Sequence, residues 1–391
     1  MKSNYKQLGE YIRQVDERNK SLMIDNLLGV SIEKRFIPSI ANIVGTDLSS
    51  YKIVRTGQFA YGPVTSRNGE KISIAYLDGE DCIISSSYTV FEVAKKDELD
   101  SEYLMLWFSR PEFDRYARYK SHGSVREIFD WNELCMVELP VPSIDEQRKI
   151  VQAYKSITDR IALKKQINDS LEEAAQVVFE ECFGEYYSDA LPLPNGWKKA
   201  TFSEVCQIKG GKRLPAECEF SSTATNHPYI RIRDMYQGKY LELTEDFEHI
   251  NEDVFSHIQN YIVASGDVII AIVGVTSGEI AIIGGTLNGA NLTENCVKLT
   301  RFKGVTAEYL YCYWQYMRKN GRIAPLLVGA AQPKLPMYNI QAVPIIVPDE
   351  RSLSDFQNKT SKFSKGLLNN LQEIRLLKEM QTLLISSISK H

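Results

Sequence analysis

Apolar positions along the chain follow two alternating regimes. Ile150, Tyr154, Ile157, Ile161, Lys164, Asn168, Leu171, Ala175, Val178 and Cys182 recur at alternating steps of four and three, which predicts a long helix with one coiled-coil seam. The same steps recur at Phe356, Thr360, Phe363, Leu367, Asn370, Ile374, Leu377, Gln381, Leu384 and Ile388. Lys164 and Asn370 interrupt the two seams at the same position, as expected where register is specified at some cost in stability. Helix pairing is therefore assigned to Ile150, Ile157, Ile161, Leu171 and Val178 on one helix and to Phe356, Phe363, Leu367, Leu377 and Leu384 on the other. Two unrelated amphipathic helices, each covering its own domain, fit the same periodicity. Ahead of each helix lie short runs rich in β-branched and aromatic residues, at 53–54, 59–61, 71–77, 83–85 and 88–93 and again at 262–264, 268–273, 280–283 and 296–299. Broken by Gly and Asp, they predict strands joined by turns. In both copies the strands give way to an aromatic-rich helix, 102–109 or 308–317, then to a glycine loop and a strand that ends in proline.

The two halves align without gaps at a separation of 206. Glu102-Tyr103-Leu104 maps onto Glu308-Tyr309-Leu310, Gly123 onto Gly329, Leu139 onto Ile345, and Val141-Pro142 onto Val347-Pro348. The expected fold is α+β: two α/β domains joined by two long antiparallel coiled-coil helices in a pseudo-two-fold internal repeat. The boundaries read from the sequence are 1–143 for the first domain, 144–184 for the central helix and 185–195 for a linker with Pro192 and Pro194. The second domain follows at 196–348 and the last helix at 349–391. Such a helix is on the order of 60 Å long at 1.5 Å per residue. Connectivity then predicts that the second helix runs back along the first and that the domains occupy its opposite ends.

Composition narrows the function classes. Of 391 residues 43% are apolar, as in ordinary folded chains. The longest apolar run, 268–275, is far short of the roughly 20 residues a membrane helix requires, and the opening MKSNYKQLGE has no apolar signal core; a cytoplasmic location and no membrane partner are expected. Seven cysteines without a C-x-x-C pair and five scattered histidines predict neither a disulfide framework nor a metal site. The 46 basic and 50 acidic residues give a net charge of −4, and no segment forms a basic arm. Nucleic-acid binding must then use local clusters and share phosphate contacts with a partner. No amino-methylation tetrapeptide, phosphate loop or nucleophile elbow is present. Gly210-Gly211-Lys212-Arg213 lacks the spacing of a phosphate cradle and reads as a turn with exposed basic side chains. Pro348-Asp349-Glu350 invites a nuclease reading, but an acidic N-cap opening the second helix explains it better.

Base reading needs polar or guanidinium side chains on a rigid support. Two loops qualify: Thr65-Ser66-Arg67-Asn68, after Gly62-Pro63-Val64, and Val275-Thr276-Ser277-Gly278, after Gly274; simple hairpin turns are the alternative for both. Arg115, Arg118 and Lys120 interleave with Tyr116 and Tyr119 ahead of Arg126, and their counterparts are Arg318, Lys319 and Arg322 leading to Gln332 and Lys334. Arg231 and Arg233 alternate on one expected strand, which points both from one face. A solvated surface explains these groups as well. Phosphate contacts are expected from lysines, and base contacts from Arg126, Gln332, Arg67 and Asn68.

Across essentially its whole length the chain resembles the specificity (S) subunits of type I DNA restriction-modification systems. The resemblance rests on Gly196-Trp197-Lys198-Lys199, on the glycine loops Gly123-Ser124-Val125-Arg126 and Gly329-Ala330-Ala331-Gln332-Pro333, and on the ends Leu139-Pro140-Val141-Pro142-Ser143-Ile144-Asp145-Glu146-Gln147 and Ile345-Ile346-Val347-Pro348. It implies two target recognition domains separated by helical conserved regions, binding double-stranded DNA and two methyltransferase subunits. Those partners bind S-adenosylmethionine and methylate adenine, restriction subunits join the core, and this chain itself carries no cofactor and no catalytic residue. The second helix departs from the pattern: Pro348-Asp349-Glu350-Arg351 lacks the Glu146-Gln147 pair, so the two partner-docking surfaces are expected to differ. A coiled-coil scaffold that joins protein partners without touching DNA remains a second reading, and an enzyme with an unrecognised active site a third.

Overall fold

The computed structural model describes residues 5–39, 45–66, 68–123, 127–188, 191–236, 238–329 and 332–390. The chain divides into two compact units, Met1–Ile161 with Leu376–His391, and Ala162–Arg375. The long helices Ile144–Phe183 and Glu350–Ser387 each contribute to both.

In the first unit an antiparallel sheet runs in the order Ile12–Val15, Thr89–Val93, Phe59–Tyr61, Ile74–Tyr76. Its buried face is aromatic: Phe59 stacks on Phe91 at 4.9 Å, and Phe108 meets Phe59 edge-on at 6.0 Å. Phe108 ends the helix Ser101–Phe108, which begins where the Asp100 carboxylate accepts from the Glu102 and Tyr103 amides at 2.9 and 3.0 Å. Burying each such ring stabilises the unit by about 1.5–3 kcal/mol.

The second unit repeats this succession as Gln207–Gly210, Cys296–Thr300, Val268–Ala271 and Ile280–Ile283. It adds Tyr240–Leu241 as a parallel edge strand, and a separate three-stranded sheet of Glu248–His249, Pro228–Ile230 and Asn291–Leu292. The sequence repeat is visible bond by bond. The Tyr103 hydroxyl donates to the Pro140 carbonyl at 3.0 Å, and its equivalent Tyr309 donates to the Ile346 carbonyl at 2.8 Å. The bridge His122–Ile128 recurs as Val328–Lys334, and the short helix Trp131–Cys135 as Met337–Gln341.

Three strand expectations need correction. Residues 262–264 form no strand: Ile262 makes one bridge to Asn291, and the turn at Gly266, with φ of +86°, ends the run. The run 71–77 shortens to Ile74–Tyr76 because the Ile72 amide is taken by the Asp114 carboxylate at 3.1 Å. The run 268–273 ends its regular ladder at Ala271, since the Ile272 amide donates to the Asn295 carbonyl, its carbonyl accepts from Leu335, and Val273 bridges Lys334.

The long helices start differently. Ser143 donates from its amide and hydroxyl to Glu146 at 3.1 and 2.7 Å, the reach-back half of a capping box. The buried Gln147 amide donates to the Glu98 and Pro142 carbonyls and accepts from the Asp100 amide, each at 2.8 Å. At the second helix Asp349 accepts from the Ser352 amide at 2.7 Å, so Pro348-Asp349-Glu350 is a helix start, and Leu353 at the position of Gln147 packs on the core. The Gln147 side chain is therefore an inward tether to the first domain.

Within the second unit the helices run antiparallel. The Lys164 ammonium donates to the Asn370 amide oxygen at 3.0 Å and pairs with Glu373 at 2.8 Å, and the Asn370 amide nitrogen donates to Asn168 at 2.8 Å. Further along, Leu171 lies over Gly366, where a Cβ would stand 3.1 Å from the Leu171 methyl, and Phe356 sits against Phe179 and Phe183. Within the first unit Gln381 donates to Thr158 at 2.7 Å, and Val151 and Ile388 share one core. Of the assigned pairing residues, Phe356, Ile161, Leu367 and Leu377 are buried and Ile150, Ile157, Leu171, Val178, Phe363 and Leu384 half-buried.

A buried polar group ties the second domain to its helices. Lys239, 1% exposed, pairs with Glu308, which also accepts from the Ser364 hydroxyl at 3.0 Å. Glu172 accepts from the Lys239 amide at 2.8 Å and from the Tyr311 hydroxyl at 3.0 Å. Burial pushes the Glu172 carboxyl above its ordinary value, against the pull of those two donors.

Asn370→Ala leaves the buried Asn168 amide without its partner and is expected to cost about 1–3 kcal/mol in urea unfolding. Because the folded state holds the Glu172 proton more tightly than the unfolded chain, its contribution is full below the ordinary carboxyl value and lost as pH rises through the raised one. Glu172→Gln should flatten that part of the stability profile, read by urea unfolding between about pH 4 and 8.

Candidate nucleic-acid interface

In the first unit the loop between Phe59–Tyr61 and Ile74–Tyr76 is clasped by the glycine loop. Val64 bridges Ile128, which bridges His122, and the Thr65 amide donates to the Glu127 carbonyl at 3.0 Å. The Thr65 hydroxyl lies 2.8 Å from that of Ser121. Asn68 holds its own turn, its amide donating to the Thr65 carbonyl at 2.9 Å and its side chain to the Val64 carbonyl at 3.4 Å. The helix Pro111–Lys120 delivers Arg118 to Glu127, while Lys120 pairs with Glu133 at 3.5 Å and Arg115 with Glu112 at 3.3 Å. Tyr119 is 82% exposed beside them. Arg67 and Arg126, with Ser124 and Val125, lie outside the described residues. Behind the loop, Lys34 adopts φ of +59°, and its ammonium donates to the Asp114 carboxylate at 2.7 Å and to the Phe108 carbonyl at 2.6 Å. Burial pushes the Lys34 ammonium below its ordinary value, although Asp114 opposes the shift. Because Asp114 also accepts from Ile72, it fixes the hairpin to the helix that bears Arg115 and Arg118.

The second unit builds the same clasp. Val273 bridges Lys334, Lys334 bridges Val328, and the Gly274 amide and Ser277 hydroxyl donate to the Pro333 carbonyl at 2.9 and 3.1 Å. Val275 stands 97% exposed at the tip beside half-buried Thr276, with Gln332 and Lys334 exposed opposite; Ala330 and Ala331 lie outside the described residues. Arg318 makes a bidentate pair with Glu279 at 2.8 and 2.6 Å. Arg322 instead donates to the Tyr187 carbonyl at 3.0 Å and lies over the Tyr316 ring, away from the tip.

The same end of the sheet continues toward the Gly210-Gly211 turn. Ile272 donates to the Asn295 carbonyl at 2.8 Å, Gly211 to Cys296 at 3.1 Å and Lys212 to Leu292 at 2.8 Å. Gly211 crosses so closely that a Cβ would fall 2.1 Å from the Thr293 carbonyl oxygen. Lys212 and Arg213 are exposed beyond this crossing, and Arg213 pairs with Glu294 at 2.7 Å. Burial alone would raise the Glu294 carboxyl, yet donors from Arg213 and Thr293 leave it below its ordinary value. Arg231 and Arg233 do not lie on one strand: Pro228–Ile230 ends before them, and Arg231 caps the 3-10 turn Ile232–Met235 that carries Arg233. They still converge, both reaching Glu248, at 3.4 and 2.7 Å.

Each unit thus gathers a hairpin loop, a glycine loop and paired arginines on one surface. Among the described residues no group of His, Cys, Asp and Glu could hold a metal ion, and no helix is long and apolar enough to cross a membrane.

A protein family described as the type I restriction modification DNA specificity domain matches residues 42–173 and 194–378. The chain belongs to that family. It is 24% identical to the type I restriction enzyme MjaIX specificity subunit of Methanocaldococcus jannaschii over 76% of this chain and 70% of that one. To the HindI specificity subunit of Haemophilus influenzae it is 20% identical over 97% and 96%. The crystal structure of the type I restriction-modification S subunit from M. genitalium shares its fold, with a TM-score of 0.51 and 13% identity over 98% and 95% of the two chains. As a type I specificity subunit, the chain is a DNA-recognition component of a restriction-modification system, and the resemblance drawn from the glycine loops and proline-ended strands holds.

Sequence reasoning missed the carboxylates that hold the arginines. Arg213 and Glu294 are 81 positions apart and Arg318 and Glu279 are 39 apart, distances at which no local pattern carries a signal. Gly211→Ala should force the crossing apart and cost about 1–3 kcal/mol; faster hydrogen exchange at the Lys212 amide with the rest of the second unit still protected is the expected readout.

Proposed function

We propose that this specificity subunit reads a bipartite, asymmetric DNA target, one half per domain, and that its paired helices hold two methyltransferase subunits and, through them, restriction subunits. The observation that carries the reading is the recurrence at a separation of 206 of the bridges His122–Ile128 and Val328–Lys334, each clasping a hairpin loop. One repeated frame presents different side chains, Asn68 and Arg118 on the first and Thr276, Gln332 and Arg318 on the second. Equivalent frames suit two identical partners, and dissimilar tips suit two dissimilar half-sites. Methyl transfer from S-adenosylmethionine belongs to the partner in this reading, and the helices set the unread gap between the halves.

The test is to co-express the chain with its methyltransferase subunit and map methylated adenines across the host DNA. A split motif is expected, and exchanging residues 1–143 for those of another family member should change one half alone. Deleting one heptad from both helices should shorten the gap by about three base pairs. A single continuous motif, or a gap indifferent to helix length, overturns the proposal, and absence of any duplex binding favours a scaffold that joins proteins only.

A further inference from the structure

The second unit carries a cleft of about 550 Å³ bordered by Arg213, Phe220, Tyr229, Arg231, Glu294 and Asn295. Its wall is aromatic, with Phe220 edge-on to Tyr229 at 5.4 Å and the Arg231 guanidinium 5.4 Å over the Phe220 ring. Asn295 joins it to the clasp, since its carbonyl accepts from Ile272, whose own carbonyl accepts from Leu335. Cleft and glycine loop are therefore neighbours on one end of the sheet. Arg213 and Arg231, 79% and 41% exposed, are each held by a carboxylate that is only 29% exposed, and Arg233, beside them and 52% exposed, is held by the same Glu248 and lies 3.7 Å from Asp234. Those carboxylates are fixed: Glu248 stands in the strand opposite Tyr229, and Glu294 accepts from the Thr293 hydroxyl at 3.0 Å.

We propose that this cleft takes a stretch of DNA sugar-phosphate backbone, and that Glu248 and Glu294 guard it by occupying the arginines until phosphate replaces them. The inference rests on the DNA-reading function above. Exposed ion pairs are worth at most about 1 kcal/mol each, so a phosphate backed by base contacts at the neighbouring clasp displaces the guards. A phosphate arriving without those contacts gains little from the exchange. The exchange costs the same whichever duplex makes it, so the guards lower affinity for every duplex and keep non-target binding, which rests on phosphate contacts alone, weak.

The experiment measures binding of the full chain to two labelled duplexes, one carrying the mapped target and one lacking it, across a salt series. Glu248→Gln and Glu294→Gln are compared with Glu245→Gln, an exposed carboxylate of the same domain that changes net charge equally. Each guard variant should tighten non-target binding about three- to fivefold and steepen its salt dependence by roughly one for each guanidinium released. Target binding should tighten by a similar factor, because the exchange is common to both duplexes. Arg213→Gln should weaken target binding with an unchanged urea midpoint, which separates loss of contact from loss of fold. Guard variants that behave as Glu245→Gln does overturn the guard while leaving DNA reading intact. If the unsubstituted chain binds neither duplex, the functional reading fails and the proposal with it.

Discussion

The contact on which the architecture turns is the polar one in the middle of the long helices. Lys164 and Asn370 are 206 positions apart, the repeat separation itself, and they touch at 3.0 Å. A residue that meets its own repeat equivalent marks the point about which an antiparallel pair is symmetric, because every other residue meets the equivalent of a different one. Sliding either helix by a heptad would carry Asn370 away from both Lys164 and Asn168 and bury their polar groups without partners, which costs more than the bond itself contributes. Apolar seam positions tolerate such slips far better. The register that seats Phe356 between Phe179 and Phe183 is thus chosen by amides and an ammonium and stabilised by rings.

Once register is set, each domain is tied to the helices by a different device. In the first unit the Gln147 amide enters the domain at the start of the helix and satisfies Glu98, Pro142 and Asp100. In the second, Lys239, Glu308, Ser364, Glu172 and Tyr311 form a buried network where Leu353 has replaced the glutamine. The equivalent of Glu308 in the first unit, Glu102, pairs with Lys155, a side chain 58% exposed. Desolvated pairs are costly to break and exposed ones nearly neutral, so the repeat conserves the frame and varies its anchorage.

The helices, their shared seam and the proline-ended strands were legible in the sequence because each is a local pattern with a fixed period. Strand order in the sheets was not, since Ile12–Val15 and Gln207–Gly210 reach partners far along the chain through backbone bonds that carry no side-chain signature. The candidate loops were legible as loops, but not the clasp that joins Val64 to Ile128 or Val273 to Lys334. Alternation misled at Arg231 and Arg233, where a 3-10 turn replaces the strand; they converge on Glu248 through that turn and not through a shared face.

Net charge of −4 is the feature that sits least easily with a DNA-recognition component. The ion pairs resolve the tension without any basic arm. Arg118 and Arg318 stand beside the clasps and Arg213, Arg231 and Arg233 at or beside the neighbouring cleft, and they pair with Glu127, Glu279, Glu294 and Glu248, the last shared by Arg231 and Arg233. Five arginines against four glutamates count formally as only +1, whereas a phosphate that takes over a guanidinium meets a full charge already oriented by its previous partner. Holding an arginine in place removes much of the rotamer entropy that binding would otherwise cost. Lys212 and Lys334 are exposed on the same sheet end of the second unit, where they can attract DNA before any exchange occurs. On the proposed reading lysines serve approach and guarded arginines commitment, a division compatible with an acidic chain.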